Sequence, residues 1–165
     1  ETDHQISIAR YLANQHYVDK SRIGIWGWSY GGFMSSTCLF KGNDVFKMAI
    51  AVAPVSNWKY YDNIYTERYM RTPKENPKGY DDNAPQKMAA NLKGKFLLIH
   101  GTADDNVHFQ NAEMLVNELV KHNKQFQYMT YPNRTHGLAE GEGTGLHLVT
   151  LYTNFLRKHC PPGGR

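Results

Sequence analysis

Short apolar runs alternate with helix-compatible segments along this chain, and that alternation restricts its fold more than any single motif does. Arg22 to Trp26, Met48 to Ala53, Phe96 to His100 and Phe126 to Tyr131 have the length and side chains of strands. Between and around them, the segment carrying Ile6, Ala9, Arg10, Tyr11 and Ala13, then Gly32 to Phe40, Gln110 to Lys121 and Leu146 to Lys158 read as helices. Chains built this way make right-handed crossovers, which predict a mostly parallel sheet with helices on both faces and ligands outside the carboxyl ends of the strands. Met48 to Ala53 is apolar throughout and stops at Pro54, as expected of a strand buried on both faces. Arg71 to Lys87, with Pro73, Pro77 and Pro85 among mostly polar residues, is expected to be an irregular surface excursion.

With 165 residues, one domain with a real core is possible. Its +4 net charge comes from scattered lysines and arginines without a basic run, which argues for a solvated surface and no nucleic-acid partner. No apolar run approaches 18 residues, and the first residues lack the basic and apolar regions of a signal peptide. Starting at Glu1 without a methionine, the chain reads as a piece of a longer polypeptide. Cys38 and Cys160 make neither a zinc spacing nor a CxxC pair, so no metal and no cofactor are expected.

The chemistry is concentrated after the strands. Gly27-Trp28-Ser29-Tyr30-Gly31 follows the first run and opens a helix, the setting of a nucleophile elbow, in which a sharp strand-to-helix turn strains the central residue and exposes its hydroxyl. Glycines two before and two after the serine are expected to relieve the crowding. By chance alone, the pattern would occur in roughly one chain in twenty of this length, so the flanking strand and helix carry the reading. A serine nucleophile needs a base, and the base needs an acid that fixes its tautomer. Asp104 follows the strand ending at His100, and His136 follows the strand ending at Tyr131, which gives the chain order Ser, Asp, His of α/β-hydrolases.

Eight histidines compete for the base. His4, His16, His122 and His159 fall on helix faces or ends where solvation is the default; His100 is expected to be buried at its strand end. His108 follows the acid loop too closely, and His147 lies inside the closing helix. His136, in a loop where Gly137 gives room, remains. Asp104 is favoured over Asp105, because Asp105 or Asn106 can instead cap the helix that follows.

Longer blocks carry a resemblance. Gly27-Trp28-Ser29-Tyr30-Gly31-Gly32, Ala51-Val52-Ala53-Pro54-Val55-Ser56, Tyr65-Thr66-Glu67-Arg68-Tyr69 and His100-Gly101-Thr102-Ala103-Asp104-Asp105-Asn106-Val107-His108 resemble the dipeptidyl peptidase IV branch of the prolyl oligopeptidase family, over Asp3 to His159. The resemblance implies the C-terminal portion of an α/β-hydrolase domain at residues 1–160, a tail at 161–165 and a β-propeller upstream in the parent. It implies a serine exopeptidase that releases N-terminal dipeptides with proline, or less well alanine, in second place. Ser29 would be the nucleophile, His136 the base and Asp104 the acid, with the Tyr30 backbone N–H in the oxyanion hole. Tyr30, Val55, Trp58, Tyr61, Tyr65 and Val107 would line the proline pocket, and Asn106 would contact the substrate carbonyl.

An apolar box of aromatic faces suits a pyrrolidine ring, which has no N–H. Trp58, Tyr61 and Tyr65 are expected on one helical face at i, i+3 and i+7, although such a stripe more often belongs to a core. The family's second oxyanion donor and its amine-anchoring glutamates match no residue here, so this chain alone is expected to have at most trace activity. Animal members pair a cysteine like Cys160 with one where this chain has Met48; that disulfide cannot form here, which fits a bacterial relative. The resemblance further implies a homodimer, pairing near Leu146 to Phe155, and a periplasmic, extracellular or membrane-anchored setting. Another acyl hydrolase of the same fold, such as an acylaminoacyl peptidase or esterase, and a non-catalytic scaffold or dimerisation fragment are the competing readings.

Overall fold

The computed structural model of the chain describes residues 1–161, so the expected tail lies outside the described residues from 162 onward. Four strands, β1 (Gly24–Trp28), β2 (Met48–Val52), β3 (Lys95–Gly101) and β4 (Gln127–Tyr131), lie side by side in chain order. Every neighbouring pair is parallel, with Gly24 opposite Met48, Met48 opposite Lys95, and Leu97 opposite Gln127. The helices are α1 (Thr2–Ala13), α2 (Tyr30–Lys41), α3 (Asn63–Met70), α4 (Pro77–Asp82), α5 (Pro85–Met88), α6 (Gln110–Lys121) and α7 (Thr144–His159). Among the described residues, no helix is long and apolar enough to cross a membrane.

Successive residues of a strand point to opposite faces, and the two central strands divide accordingly. Ala49, Ala51, Phe96 and Leu98 join α1, α2, α5 and α6 in one apolar cluster. Met48, Ile50, Val52, Leu97 and Ile99 join Leu148 and Phe155 of α7 in the other. Helices therefore cover both faces, and β2 is buried at all five positions as its unbroken apolar run requires.

Helix α2 lies directly behind the elbow and is buried from Gly32 to Phe40. The hydroxyls of Ser35, Ser36 and Thr37 have no water to turn to, and each donates to a carbonyl four residues back, at 2.8, 2.9 and 2.8 Å. Such back-bonding lets polar side chains occupy a helix with no solvated face.

Several sequence expectations are corrected. Arg22 is not in the first strand: the Asp19 carboxylate accepts from the Ser21 N–H, closing a 3-10 turn over Lys20–Arg22, and β1 runs on to Trp28, next to Ser29. The excursion from Arg71 to Lys87 is not irregular. Two of its prolines start helices, Pro77 after an Asn76 cap and Pro85 after Ala84, because the first helical turn needs no proline N–H. In α7, Phe155 is core at 3% exposure, whereas Leu146 and Val149 stand outward at 77% and 59%. Both cysteines are free, and Cys160 packs against the α7-side cluster to which Met48 belongs.

Candidate active site

Ser29, Asp104 and His136 all follow the carboxyl ends of strands, β1, β3 and β4 respectively. Ser29 has φ 59° and ψ −118°, outside both the helical and the extended regions. A non-glycine residue in such a region costs of order 1–3 kcal/mol and is held there by its surroundings. Here the Ser29 N–H donates to the Val52 carbonyl at 2.8 Å and its own carbonyl accepts from Phe33 at 3.0 Å. Its hydroxyl caps no backbone amide of α2. Tyr30 opens that helix, so its N–H is among the first four amides, which have no intrahelical acceptor.

The two elbow glycines differ in their need for a missing side chain. A Cβ on Gly27 would lie 2.2 Å from the Gly31 carbonyl oxygen, whereas one on Gly31 would meet nothing within 4 Å. The crowding expected from the motif is therefore one-sided, because the chain turns the backbone of Gly31 under Gly27.

Both oxygens of the Asp104 carboxylate are held. Oδ1 accepts from the N–H groups of Asn106 (3.0 Å) and Val107 (2.9 Å); Oδ2 lies 2.8 Å from His136 Nδ1 and 3.2 Å from His100 Nε2. Burial alone would raise this carboxyl, but the donors His100, His136 and Asn106 outweigh it and the group ends below its ordinary value of 3.8. An ionised carboxylate only accepts, so the His136 proton sits on Nδ1 and Nε2 is left as the base. The Asp104 side chain is fully buried, while His136 keeps 22% of its side chain exposed, a fixed acid behind a reachable base.

Two backbone contacts and one to a side chain join the two loops: Thr102 N–H to Tyr131 carbonyl (3.0 Å), Ala103 N–H to Arg134 carbonyl (3.1 Å), and Asn133 N–H to Thr102 Oγ1 (2.8 Å). A Cβ on Gly101 would lie 2.2 Å from the Arg134 oxygen, so glycine is what lets the loops close. Gly137 has no such role, since a Cβ there would meet nothing within 4 Å. Within the base loop, Arg134 grips Thr144 Oγ1 and the Pro132 carbonyl, and Thr135 is held by Glu140. The Trp28 indole N–H donates to the His136 carbonyl at 3.0 Å, tying the base loop to the residue preceding Ser29.

The other histidines take different roles. His147 accepts or donates at the buried Tyr131 hydroxyl, 2.7 Å away, and His100 is fully buried as expected. Neither Asp105 nor Asn106 caps the following helix, whose N-cap is Phe109 without a side-chain bond.

The aromatic residues converge, but not on one helical face. Trp58 lies in a 3-10 turn, Tyr61 is extended, and α3 starts only at Asn63, after Asp62 caps it through the Tyr65 N–H. The kink brings the rings together: Trp58 stacks on Tyr65 (centroids 6.0 Å, 27°) and meets Tyr61 edge-on at 5.7 Å. Tyr30 reaches Trp58 at 5.9 Å. Tyr30, Trp58 and Tyr65, with Phe33 and Tyr69, wall a cavity of about 550 Å³. Tyr61 and Asn106 line a second cavity of about 680 Å³. Val55 and Val107 are buried behind them in the core at 2% and 0% exposure. The sequence reading missed Phe33 and Tyr69, whose signal was their spacing of three from Tyr30 and four from Tyr65. Tyr61 donates to Asn106 Oδ1 at 2.7 Å, an arrangement that leaves both Nδ2 protons for another acceptor.

The family model described as "Prolyl oligopeptidase family" matches residues 1–162. Dipeptidyl peptidase 4 of Felis catus is 46% identical over 161 residues, covering 96% of this chain and 21% of the relative. Prolyl endopeptidase FAP of Bos taurus is likewise 46% identical, with the same coverage. The crystal structure of Porphyromonas gingivalis dipeptidyl peptidase 4 superposes with a TM-score of 0.93 at 45% identity, covering 96% of this chain and 22% of that one. The chain thus spans about a fifth of the length of the relatives it matches.

Proposed function

The chain belongs to the prolyl oligopeptidase family, and we propose on that premise that it is the catalytic portion of a serine peptidase of its relatives' length, releasing N-terminal dipeptides that end in proline or, less well, alanine. The observation that carries this reading is the 2.8 Å contact between His136 Nδ1 and Asp104 Oδ2, in a chain that also holds Ser29 in a strained elbow. Relatives in this family are peptidases by name.

In the proposed reaction, Ser29 Oγ attacks the carbonyl carbon of the substrate's second residue as His136 Nε2 takes the hydroxyl proton. Asp104 stabilises the imidazolium, and the Tyr30 N–H receives the negative charge that forms on the carbonyl oxygen. Collapse breaks the peptide bond; His136 gives its proton to the departing amine, and the dipeptide remains as an ester on Ser29. Water, activated by the same His136, releases it. The Tyr30, Trp58 and Tyr65 rings offer the substrate's pyrrolidine flat apolar faces, and Asn106 Nδ2 is oriented to donate to a substrate carbonyl. The outward Leu146 and Val149 of α7 support pairing of two full-length copies through this helix.

A fluorophosphonate probe tests the reading. It should label Ser29 of the full-length protein and leave Ser29→Ala unlabelled, and Gly-Pro-anilide should be cleaved. Absence of labelling in the full-length protein would favour the scaffold reading. The 165-residue chain alone should show at most trace cleavage, because one oxyanion donor is typically worth about 10²- to 10³-fold in turnover. The prolyl endopeptidase among the relatives suggests a second reading, and cleavage of an N-terminally acetylated Gly-Pro substrate at the same rate would favour it.

A further inference from the structure

We propose that His100 is a positioning residue for the Ser29 reaction, holding the Asp104 carboxylate so that Oδ2 faces His136. The inference rests on the peptidase reading above. His100 is the penultimate residue of β3 and its side chain has no exposed surface. Its Nε2 lies 2.8 Å from the Val107 carbonyl oxygen. A carbonyl can only accept, so Nε2 carries a proton, and that N–H also lies 3.2 Å from Asp104 Oδ2. Among the described residues, its Nδ1 has no hydrogen-bond partner, and the ring meets Phe109 edge-on at 5.7 Å. Among the described residues, the only polar partners of the imidazole lie on its Nε2 side.

These contacts form a closed circuit. His100 donates to the Val107 carbonyl, the Val107 N–H donates to Asp104 Oδ1, and Asp104 Oδ2 faces His100 again. A carboxylate rotates about its last bond unless both oxygens are held. With two backbone donors on Oδ1, and His136 and the His100 N–H it shares with the Val107 carbonyl on Oδ2, Asp104 presents one orientation to His136. Without the His100 donor, the buried Val107 carbonyl loses its side-chain partner and Oδ2 is restrained by His136 alone. His136 is the moving part of the reaction, so it cannot by itself supply a fixed reference.

The test uses the full-length protein. His100→Phe keeps an aromatic ring against Phe109 and removes the donor; His100→Gln places an amide N–H near the original Nε2. His100→Phe should lower kcat on Gly-Pro-anilide about 10- to 100-fold, with KM within about twofold. It should also shift or broaden the low-field NMR signal of the His136 Nδ1 proton, and His100→Gln should restore most of both. If His100→Phe fails to fold, His100→Met, with the shape of Gln but no donor, takes its place, and His100→Gln must then be the faster of the two. Wild-type kcat with an unchanged resonance in the donorless variant overturns the proposal, as does a folded His100→Gln no better than it. A wild-type protein that does not label at Ser29 sinks the peptidase reading, and the resonance then decides the role of His100 alone.

Discussion

Trp28 donates its indole N–H to the main-chain oxygen of His136, 108 residues further along the chain, at 3.0 Å. The residue next to Ser29 thus holds the backbone of His136. Strand geometry sets Ser29, loop geometry sets His136, and this bond fixes one against the other. Reactions that depend on near-attack placement are sensitive to such restraints, since a displacement of about 1 Å can cost roughly 10²-fold.

Trp28→Phe should therefore slow labelling of Ser29 by a fluorophosphonate about tenfold, the worth of one hydrogen bond of about 1.4 kcal/mol. Fold stability should change less, because the ring still packs on the α7 face. Stopped-flow labelling kinetics together with the thermal midpoint would separate the two effects.

Asp104→Asn should drop kcat by roughly 10⁴-fold, because an amide can present an N–H to Nδ1 and stabilise the wrong tautomer. The carboxyl is depressed in the folded protein, so its contribution to stability is complete above its unfolded value of 3.8 and is lost as pH falls through the lower folded value. Urea midpoints of wild type and Asp104→Asn should differ most at neutral pH and converge below about pH 4.

Gly101→Ala places a methyl where the Arg134 carbonyl oxygen lies, at 2.2 Å. The acid and base loops must then part, at a cost of about 1–3 kcal/mol, and turnover should collapse with them. Gly137→Ala, whose added carbon meets nothing within 4 Å, should be within about 0.5 kcal/mol of wild type. Denaturation midpoints and kcat of the pair check this, and equal effects would refute the account of the loops.

Tyr61→Phe removes the donor that orients the Asn106 amide. Loss of about 1 kcal/mol of preorganised binding should raise KM for Gly-Pro-anilide about fivefold and leave kcat near wild type. A fall in kcat without a change in KM would assign Tyr61 a different role.

Much of this molecule was legible in the sequence because it rests on local chemistry. Apolar runs of strand length and helical periodicities depend on neighbours one to four residues apart, and they placed every strand to within two residues. Ser29, Asp104 and His136 stand out in the sequence because strand ends in such a sheet are where loops can carry reactive groups. Where structure departs from these patterns, a short-range capping contact is the reason. Asp19 pulled Arg22 into a turn, Asn76 allowed Pro77 to start α4, and Asp62 broke the supposed single helix through Trp58, Tyr61 and Tyr65.

The sequence by itself determined the alternating parallel architecture, the strained serine between strand and helix, and the order in which acid and base follow it. Only the tertiary structure decided what surrounds them: that His100 shares Asp104 with His136, that Trp28 holds the base loop, that Gly101 and not Gly137 is needed for closure, and that the aromatic residues divide between two cavities. These are contacts between strand ends brought together by sheet register. No periodicity records which side chain from one loop meets which carbonyl from another, because that pairing is set by the packing of the whole sheet between its two layers of helices.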